Sequence, residues 1–441
     1  MEEFTIVNPR AAAVDVGAEC HYAAVSPGSD PEGRDVREFS AFTDGLQQLC
    51  DWLQRCGTQT VALESTGVYW IPLYELLESE GLQPCLVDAR HVQNVSGRKS
   101  DVLDCQWLQQ LHSFGLLSAA FRPEENICVL RSYMRHRGML VKSAADHIQH
   151  MQKALTQMNL KLQHAVSDLA GQTGLRIIRA IVGGERNPAK LATLRDPRCA
   201  QPEAVIAAAL KGSYRAEHLF ALKQALELYD FYQKQIAECD QQIEAQLQSF
   251  EDQSGGGPVP PNGKRARASS GNAPAFNLRE SMYRAVGVDL TAIPSLDALS
   301  VSKLIAEIGT DPKKWRDSAA SFCAWMRLCP GTRISGKKRL SGRMGPAVHR
   351  AGQILRVAAQ TLHRSKTALG AQYRAMRAKF GPVSANVICA HKLGRIIFAM
   401  LKSRKPYREV GEAGYDAGRR KKALRQLERR AKALGFTLQP C

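Results

Sequence analysis

The chain has 441 residues, 44% apolar and 23% charged, so the sequence predicts a soluble globular protein of several domains rather than a disordered chain. Sixty Lys and Arg residues against 42 Asp and Glu residues give a net charge of +18, which favours a polyanionic partner such as nucleic acid. Twelve scattered cysteines without a C-x-x-C pair argue against a disulfide scaffold or a zinc ribbon, and we expect a cytoplasmic protein without a secretory signal or a membrane span.

The first 125 residues predict an α/β domain built on a mixed sheet. Short apolar runs predict strands, and apolar residues at a spacing of three to four predict helices. The expected elements, in chain order, are strands Ala11–Val16, His21–Val25 and Val36–Phe39, helix Phe42–Leu53, strand Thr60–Leu63, helix Ile71–Leu77, strand Cys85–Val87 and helix Val102–Leu117. Three leading strands followed by alternating helices and strands indicate a layered α/β fold.

Four carboxylates stand at the ends of these elements. Asp15 ends the first strand, just before a turn at Gly17, and Glu64 ends a later strand. Asp101 and Asp104 lie one turn apart on the same face at a helix start. Four acids delivered in this way can hold two Mg2+ ions, which polarise a phosphate and activate an attacking oxygen. A purely structural interpretation is also open, because Asp101 suits a helix N-cap and Asp104 an exposed helix position.

Residues 126–251 predict a helical region. Within it, the apolar positions of Glu217–Phe250 follow the spacing of a coiled coil, with polar Gln233 and Asp240 in the seam. This seam fits either an intramolecular hairpin on Met134–Leu162 or a contact between two chains. Polar seam residues fix register and partner number, which slightly favours oligomerisation.

The C-terminal half begins with a predicted flexible linker, residues 252–277, which are rich in Gly, Pro and Ser. Residues 278–410 predict a mostly helical domain with a break at Cys329–Pro346, and residues 411–441 a basic tail. No Asp or Glu occurs between Ser318 and Arg408, so this segment cannot itself supply a carboxylate metal site or a carboxylate base. Such a composition is typical of a surface that binds phosphates.

Ser335 lies in the loop predicted at this break and is surrounded by positive charge. The surrounding basic residues are Arg333, Lys337, Lys338, Arg339 and Arg343. A serine is a weak nucleophile that needs positioning, a proton acceptor and stabilisation of the charge that develops on phosphorus. The basic residues supply only the last of these, so composition alone fits a phosphate contact better than a nucleophile.

Three N-terminal segments carry a resemblance to a known family. AVDVGAECHYAAV, VALESTGVYWIPLYELL and GRKSDVLDCQWLQQLHSFGLL resemble the RuvC-like, ribonuclease H-like domain of the DEDD-type insertion-sequence transposases, which are described as bridge-RNA-guided recombinases. WMRLCPGTRISGKKRLSGRMG and AHKLGRIIFAMLKSRKPY are similar to the C-terminal transposase domain of the same family. The resemblance implies an α/β RuvC-like domain, a helical middle and a mostly helical transposase domain.

The same resemblance assigns roles to individual residues. It implies that Asp15, Glu64, Asp101 and Asp104 form the DEDD quartet that binds Mg2+, and that Ser335 is the nucleophile. Ser341, six residues further on in a second Ser-Gly step, competes for that role. Since the acids and the serine lie in different domains, we expect a composite site formed between domains, from one chain or from two.

The activity that the resemblance implies is that of a DNA transposase and recombinase. Mg2+-dependent strand cleavage through a phosphoserine would be followed by strand exchange and religation, with a structured guide RNA choosing the DNA sequences. Related proteins act as homodimers that pair into homotetramers, and we expect a bacterial protein that associates with the nucleoid. Two alternatives stay open: a metal-dependent hydrolytic nuclease of the Holliday-junction resolvase type, and a non-catalytic protein that binds RNA or DNA.

Overall fold

The structure is a computed structural model that describes residues 5–64, 67–87, 101–261, 272–315, 317–336, 338–342, 344–345 and 349–437. The chain divides into two compact units, Met1–Arg122 and Pro123–Cys441. The first unit is an α/β layer structure, and the second is helical apart from one short hairpin. The division falls between the last helix of the α/β unit and the long helical region.

The first unit is built on a five-stranded mixed sheet. Its strands are β1 (Ala11–Val16), β2 (Cys20–Ala24), β3 (Val36–Ser40), β4 (Thr60–Glu64) and β5 (Gln83–Val87). The strand order is β3-β2-β1-β4-β5, in which β2 runs antiparallel to both of its neighbours and β1, β3, β4 and β5 share one direction. The parallel strands β1 and β4 lie in the middle of the sheet, and apart from Asp15, Thr60 and Glu64 their residues are apolar and buried, as in strands covered on both faces.

Helices cover both faces of this sheet. They are α1 (Thr43–Arg55), α2 (Trp70–Ser79) and α3 (Asp101–Ser113). Val14 packs in one core cluster with residues of α1 and α2, whereas its neighbour Ala13 packs in another with Leu108 of α3. Since successive residues of a strand point to opposite faces, α3 lies on the other side of the sheet from α1 and α2. The arrangement is compatible with a ribonuclease H-like domain.

All eight N-terminal elements that the sequence predicts are present, with most bounds within two residues. The exception is the helix predicted over Val102–Leu117, which ends at Ser113. Gly115 adopts a φ of +67°, and its amide donates a hydrogen bond to the carbonyl oxygen of His112. A glycine in this left-handed conformation ends helices, and apolar periodicity alone does not reveal the stop.

The second unit contains twelve α-helices among its described residues. They are α4 (Glu125–Gln157), α5 (Leu162–Ala165), α6 (Gln172–Val182), α7 (Pro188–Ala192), α8 (Glu203–Ala209), α9 (Ala216–Gln248), α10 (Leu278–Val286), α11 (Ala298–Ile308), α12 (Ala319–Trp325), α13 (Arg350–Thr361), α14 (Ala368–Ser403) and α15 (Gly411–Ala433). By length and composition α14 could cross a membrane, but Gly381 interrupts its helical backbone and 44% of its most apolar window is buried in the protein.

Helices α4 and α9 form a long antiparallel pair. The Gln246 side chain reaches the carbonyl oxygen of Asn126 at one end, and the rings of His147 and Tyr232 stack towards the other, with centroids 5.4 Å apart. The apolar seam predicted for Glu217–Phe250 therefore packs within the chain, which is the hairpin alternative. The preference for an intermolecular seam finds no support in this packing, and a supercoiled coiled coil is not confirmed.

The described parts of the segment 252–277 form no helix or strand, but hydrogen bonds join them to the helices of the second unit. The amide of Gln253 donates to the carbonyl oxygen of Arg284, and the carbonyl oxygen of Asn272 accepts from Arg137. These contacts fix both described flanks of the segment, although its composition predicts a free linker.

The helix break predicted at Cys329–Pro346 is present and contains a β-hairpin instead of an irregular loop. Its strands are β6 (Arg333–Ser335) and β7 (Lys338–Ser341), which pair antiparallel. Each strand is too short to give a clear alternating pattern among so many basic residues, so the sequence shows the turn residues but not the pairing.

Candidate active-site residues

Asp15 and Glu64 occupy equivalent positions on neighbouring parallel strands. The register pairs Val14 of β1 with Leu63 of β4, so the two acids follow at the same level of the sheet. Each stands at the carboxyl end of its strand, and both side chains are half-buried. Neighbouring strands lie about 4.8 Å apart, which is within the range that two carboxylates sharing a cation require.

Helix α3 carries the other two acids and is attached directly to the sheet. The Cys105 thiol donates to the carbonyl oxygens of Ala13 on β1, at 3.3 Å, and of Tyr22 on β2, at 3.0 Å. Burial raises the pKa of Cys105 to about 12, so the thiol stays protonated and keeps its proton for these bonds. Asp101 and Asp104, in the turn that precedes Cys105, are thereby held above the strand that contains Asp15.

The two aspartates of α3 act electrostatically on Asp15. Burial raises the pKa of Asp15 above its usual value, and the negative charges of Asp101 and then Asp104 raise it further. A hydrogen bond from the amide of Val16 acts in the opposite direction but does not cancel these effects. Asp101 and Asp104 are exposed, so the concentrated negative charge is open to a cation from solvent.

The donor chemistry of the quartet fits a divalent cation. All four side chains offer carboxylate oxygens, the hard ligands that Mg2+ prefers, and a cation would relieve the repulsion around Asp15. Across the described residues, no three Asp, Glu, His or Cys side chains converge closely enough to enclose an ion in this conformation. The structure thus places Asp101 and Asp104 where their charges act on Asp15, and Glu64 on the next strand, without closing the four acids around an ion.

Ser335 lies in the hairpin formed by β6 and β7. It is the last residue of β6, its side chain is exposed, and it pairs with Lys338 at the start of β7. Gly336, which follows, has a φ of +52°, a conformation that glycine adopts without a Cβ clash and that tight hairpin turns need. The hairpin therefore leaves Ser335 accessible to a large substrate.

The predicted basic surroundings of Ser335 are described in part. Lys338 is exposed and lies opposite Ser335 across the two strands. Arg333 and Arg339 occupy strand positions of the hairpin, and their side chains lie outside the described part of the structure, as do Lys337 and Arg343 altogether. Both strands of the hairpin therefore contain basic residues, Arg333 in β6 and Lys338 and Arg339 in β7.

Ser341 differs from Ser335 in exposure. It ends β7 opposite Arg333 and is half-buried, with an interaction of its own. A nucleophile that attacks a phosphate in a DNA strand needs open access, so the exposed position favours Ser335.

Comparison with protein-family models decides the family. A model of DEDD transposases of the IS110 type, described as "Transposase", matches residues 12–160, and a model described as "Transposase IS116/IS110/IS902 family" matches residues 289–374. The chain belongs to the IS110 family of DEDD transposases. A search of curated protein sequences found no match to this IS110 transposase.

The two matches divide the candidate residues of the IS110 transposase between them. The first covers all four acids, and the second covers the hairpin with Ser335. Membership makes the chain a DNA-processing enzyme, and the resemblance read from the motifs is confirmed at the level of the family.

Sequence reasoning missed two features of this IS110 transposase. The first is Cys105, which appears in the sequence only as one of many scattered cysteines. The second is a pair of exposed apolar residues in the hairpin, Ile334 and Leu340. Both depend on tertiary context, although Cys105 follows directly after Asp104 and that adjacency is the one signal the sequence offers.

Proposed function

We propose that this IS110 transposase cuts and rejoins DNA through a covalent bond between Ser335 and a backbone phosphate. Mg2+ held by Asp15, Glu64, Asp101 and Asp104 assists the reaction. The observation that carries the proposal is the exposure of Ser335 on a hairpin in a long acid-free segment, within the family's matched C-terminal region.

The proposed chemistry is a pair of transesterifications. The Ser335 Oγ forms a bond to phosphorus, the P–O bond to the leaving deoxyribose oxygen breaks, and the proton of the hydroxyl ends on that oxygen. A hydroxyl end of another strand then attacks the phosphoserine, and its proton returns to Ser335. The number of phosphodiester bonds is conserved, so no nucleoside triphosphate is consumed, in accord with the absence of a G-x-x-x-x-G-K-[ST] loop from the sequence.

The residues near Ser335 cannot complete this reaction by themselves. Lys338 offsets negative charge that develops on the phosphate, but no carboxylate is available between Ser318 and Arg408 to accept a proton. We assign that need to the acids of the N-terminal unit. When bound there, Mg2+ would supply a Lewis acid for phosphate oxygens. Burial and, after it, the charges of Asp101 and Asp104 raise the pKa of Asp15, and these charges favour a cation.

The proposal includes the partners that the family resemblance implies. A structured RNA would select donor and target DNA by base pairing, while the protein binds the nucleic-acid backbone. The active assembly would be a homotetramer built from dimers, located at the bacterial nucleoid. The net charge of +18 supports the polyanionic partners but does not distinguish RNA from DNA.

The experiment uses purified protein, RNA transcribed from the flanks of its gene, supercoiled DNA that carries the element junction, and Mg2+. After denaturation, protein attached covalently to DNA is measured by gel shift. Wild-type protein should give an adduct, which Ser335→Ala and Asp15→Ala both abolish. Ser341→Ala is the matched control, and it should retain the adduct.

Three outcomes decide the proposal. An adduct that persists in Ser335→Ala but disappears in Ser341→Ala would move the nucleophile to the second serine. Cleaved ends without any adduct, lost only in Asp15→Ala, would make the protein a hydrolytic nuclease. An adduct that forms equally without RNA would refute RNA guidance while leaving the serine chemistry intact.

A further inference from the structure

Two large apolar side chains are exposed on the hairpin that carries Ser335. Ile334 is 67% exposed and Leu340 is 64% exposed. Single exposed apolar residues are common on protein surfaces. Two branched aliphatic residues within one short basic hairpin are different, because the other exposed residues described there, Ser335, Gly336 and Lys338, are polar or lack a side chain.

The two strands place Ile334 and Ser335 on opposite sides of the hairpin. Ile334 precedes Ser335 in β6, and successive side chains of a strand alternate between faces. Ile334 pairs with Arg339, and Arg333 pairs with Ser341. Leu340 therefore has no partner between these two pairs, and the register shifts there as at a β-bulge. Bulges next to active sites change the direction of side chains, which fits an apolar residue turned outwards.

This geometry suits a hairpin that lies in a DNA groove. A two-stranded ribbon fits into the groove of a duplex, and a serine that reaches phosphorus must approach from the wall of the groove. An exposed side chain on the opposite face then points away from that phosphate and can reach the base pairs. Apolar side chains in such positions insert between base steps and partly unstack them.

We propose that Ile334 is a wedge that unstacks the base step beside the phosphate that Ser335 attacks. Ile334 thereby acts as a positioning residue, because unstacking bends the backbone and exposes the phosphorus to Ser335. The partner that contacts the exposed Ile334 and Leu340 is DNA rather than a protein or a membrane core, because the hairpin lies in residues 318–408, which contain no acid.

The inference rests on the proposed function for the identity of the attacked phosphate, but not for the unstacking itself. Unstacking of the DNA and attack by Ser335 can therefore be measured separately. The unstacking assay uses Ser335→Ala protein, which binds but cannot cleave, with the junction DNA and flank RNA described above. Potassium permanganate oxidises thymines only where they are unstacked, so it reports the distortion without knowledge of the cleavage position.

In addition to the thymines of any strand that RNA pairing displaces, Ser335→Ala protein should make thymines at one or two further steps reactive to permanganate. Adding Ile334→Ala should remove this local reactivity, and Ile334→Leu should restore it because the apolar bulk returns. Val383→Ala, which truncates a side chain that is 78% exposed elsewhere in the same unit, is the matched control and should leave the pattern unchanged. With Ser335 intact, Ile334→Ala should form adduct about tenfold more slowly or worse.

The wedge is refuted if Ile334→Ala gives the same permanganate pattern as its parent at equal DNA occupancy. It is also refuted if Ile334→Leu fails to restore the permanganate pattern. A role of Ile334 in packing the hairpin would then explain why Ile334→Ala loses that reactivity. If wild-type protein forms no adduct, the serine mechanism fails while the permanganate pattern still tests the wedge. DNA occupancy is measured by filter binding in every case.

Discussion

Asp15 is the acid on which the electrostatics of the carboxylate cluster converge. Its charged form is disfavoured by burial and by two neighbouring aspartates, so it costs stability at neutral pH when no cation is present. A cation that binds the cluster would reverse the sign of this effect, because opposite charges then replace like charges.

We expect Asp15→Asn to stabilise the protein in EDTA and to remove most of the stabilisation that Mg2+ gives the wild type. The gain without metal should be small, because the side chain is only half-buried and solvent screens its charge. Thermal unfolding with EDTA and with Mg2+ measures both effects. The control is Glu19→Gln, an exposed acid of the same unit, and a melting temperature of Asp15→Asn below that of the wild type in EDTA would contradict the prediction.

His349 is a second residue whose environment opposes its charge. Burial lowers its pKa to about 4, and its ring packs on Trp325 with centroids 4.0 Å apart. Its Nδ1 has no hydrogen-bond partner among the described residues. The charged groups that act on the ring are one acid and three arginines: Glu307, Arg131, Arg135 and Arg327.

The direction of the pH effect follows from that depressed pKa. The pKa of His349 is 6.5 in the unfolded chain and about 4 in the folded protein. Between these values protonation favours the unfolded chain, so the stability that neutral His349 provides is complete above pH 6.5 and is lost as the pH falls towards 4. We expect urea unfolding to show a loss of about 2 kcal/mol over this range that is absent in His349→Gln. The exposed His164→Gln should behave like the wild type, and an unchanged pH profile in His349→Gln would refute the prediction.

At the scale of elements, the pairing of α4 with α9 depends on a buried ion pair. Arg137 is 2% exposed and Asp240 is 7% exposed, and the Arg137 Nη2 lies 3.2 Å from the Asp240 Oδ2. Arg137 also donates to the carbonyl oxygen of Asn272, so one side chain joins both long helices to the following segment. Asp240 is one of the polar seam residues that suggested contact between chains, and its partner lies within the chain.

Removing one member of this pair should be far more harmful than removing both. Arg137→Met leaves a buried carboxylate without a counter-charge and should cost about 3–5 kcal/mol, whereas Arg137→Met combined with Asp240→Leu should recover most of that loss. The exposed pair Lys234–Glu238 on α9 provides the control, since Lys234→Met should cost less than about 0.5 kcal/mol. Chemical denaturation measures all four proteins, and equal losses in the single and double variants would contradict the assignment.

At the scale of the whole molecule, positive charge is concentrated towards the C-terminus. Residues 313–441 contain 30 Lys and Arg residues and 5 acids. Helix α15 contains a cluster of four consecutive basic residues, Arg419–Lys422, and none of its residues is buried. An exposed basic helix of this kind binds phosphates and releases counterions, so its contribution depends on salt.

Each phosphate that the protein neutralises contributes roughly 0.9 to the slope of log Kd for duplex DNA against log salt concentration. Replacing all four residues of Arg419–Lys422 with glutamine should therefore lower this slope by about 2 to 3.5. A control with the same change of net charge replaces four exposed lysines of the helical region: Lys142, Lys153, Lys211 and Lys223. Its slope should change less. Equal slopes in the two variants would show that only net charge matters and would refute a localised role for α15.

Much of this protein follows from its sequence because the relevant signals are local. Apolar periodicity predicts the five strands and three helices of the first unit, since each element must bury one face or both. The acids and Ser335 are recognisable because they stand beside these elements in family motifs. The absence of acids from residues 318–408 also follows directly from the printed chain.

The tertiary structure decided what depends on contacts between distant residues. The strand order places β1 beside β4 and aligns Asp15 with Glu64, and Cys105 attaches α3 to both β1 and β2. The partner of α9 is α4 because burial of their apolar faces, together with the Arg137–Asp240 pair, selects among surfaces that look alike in sequence. Local patterns specify which face must be buried, but only the folded chain determines what buries it.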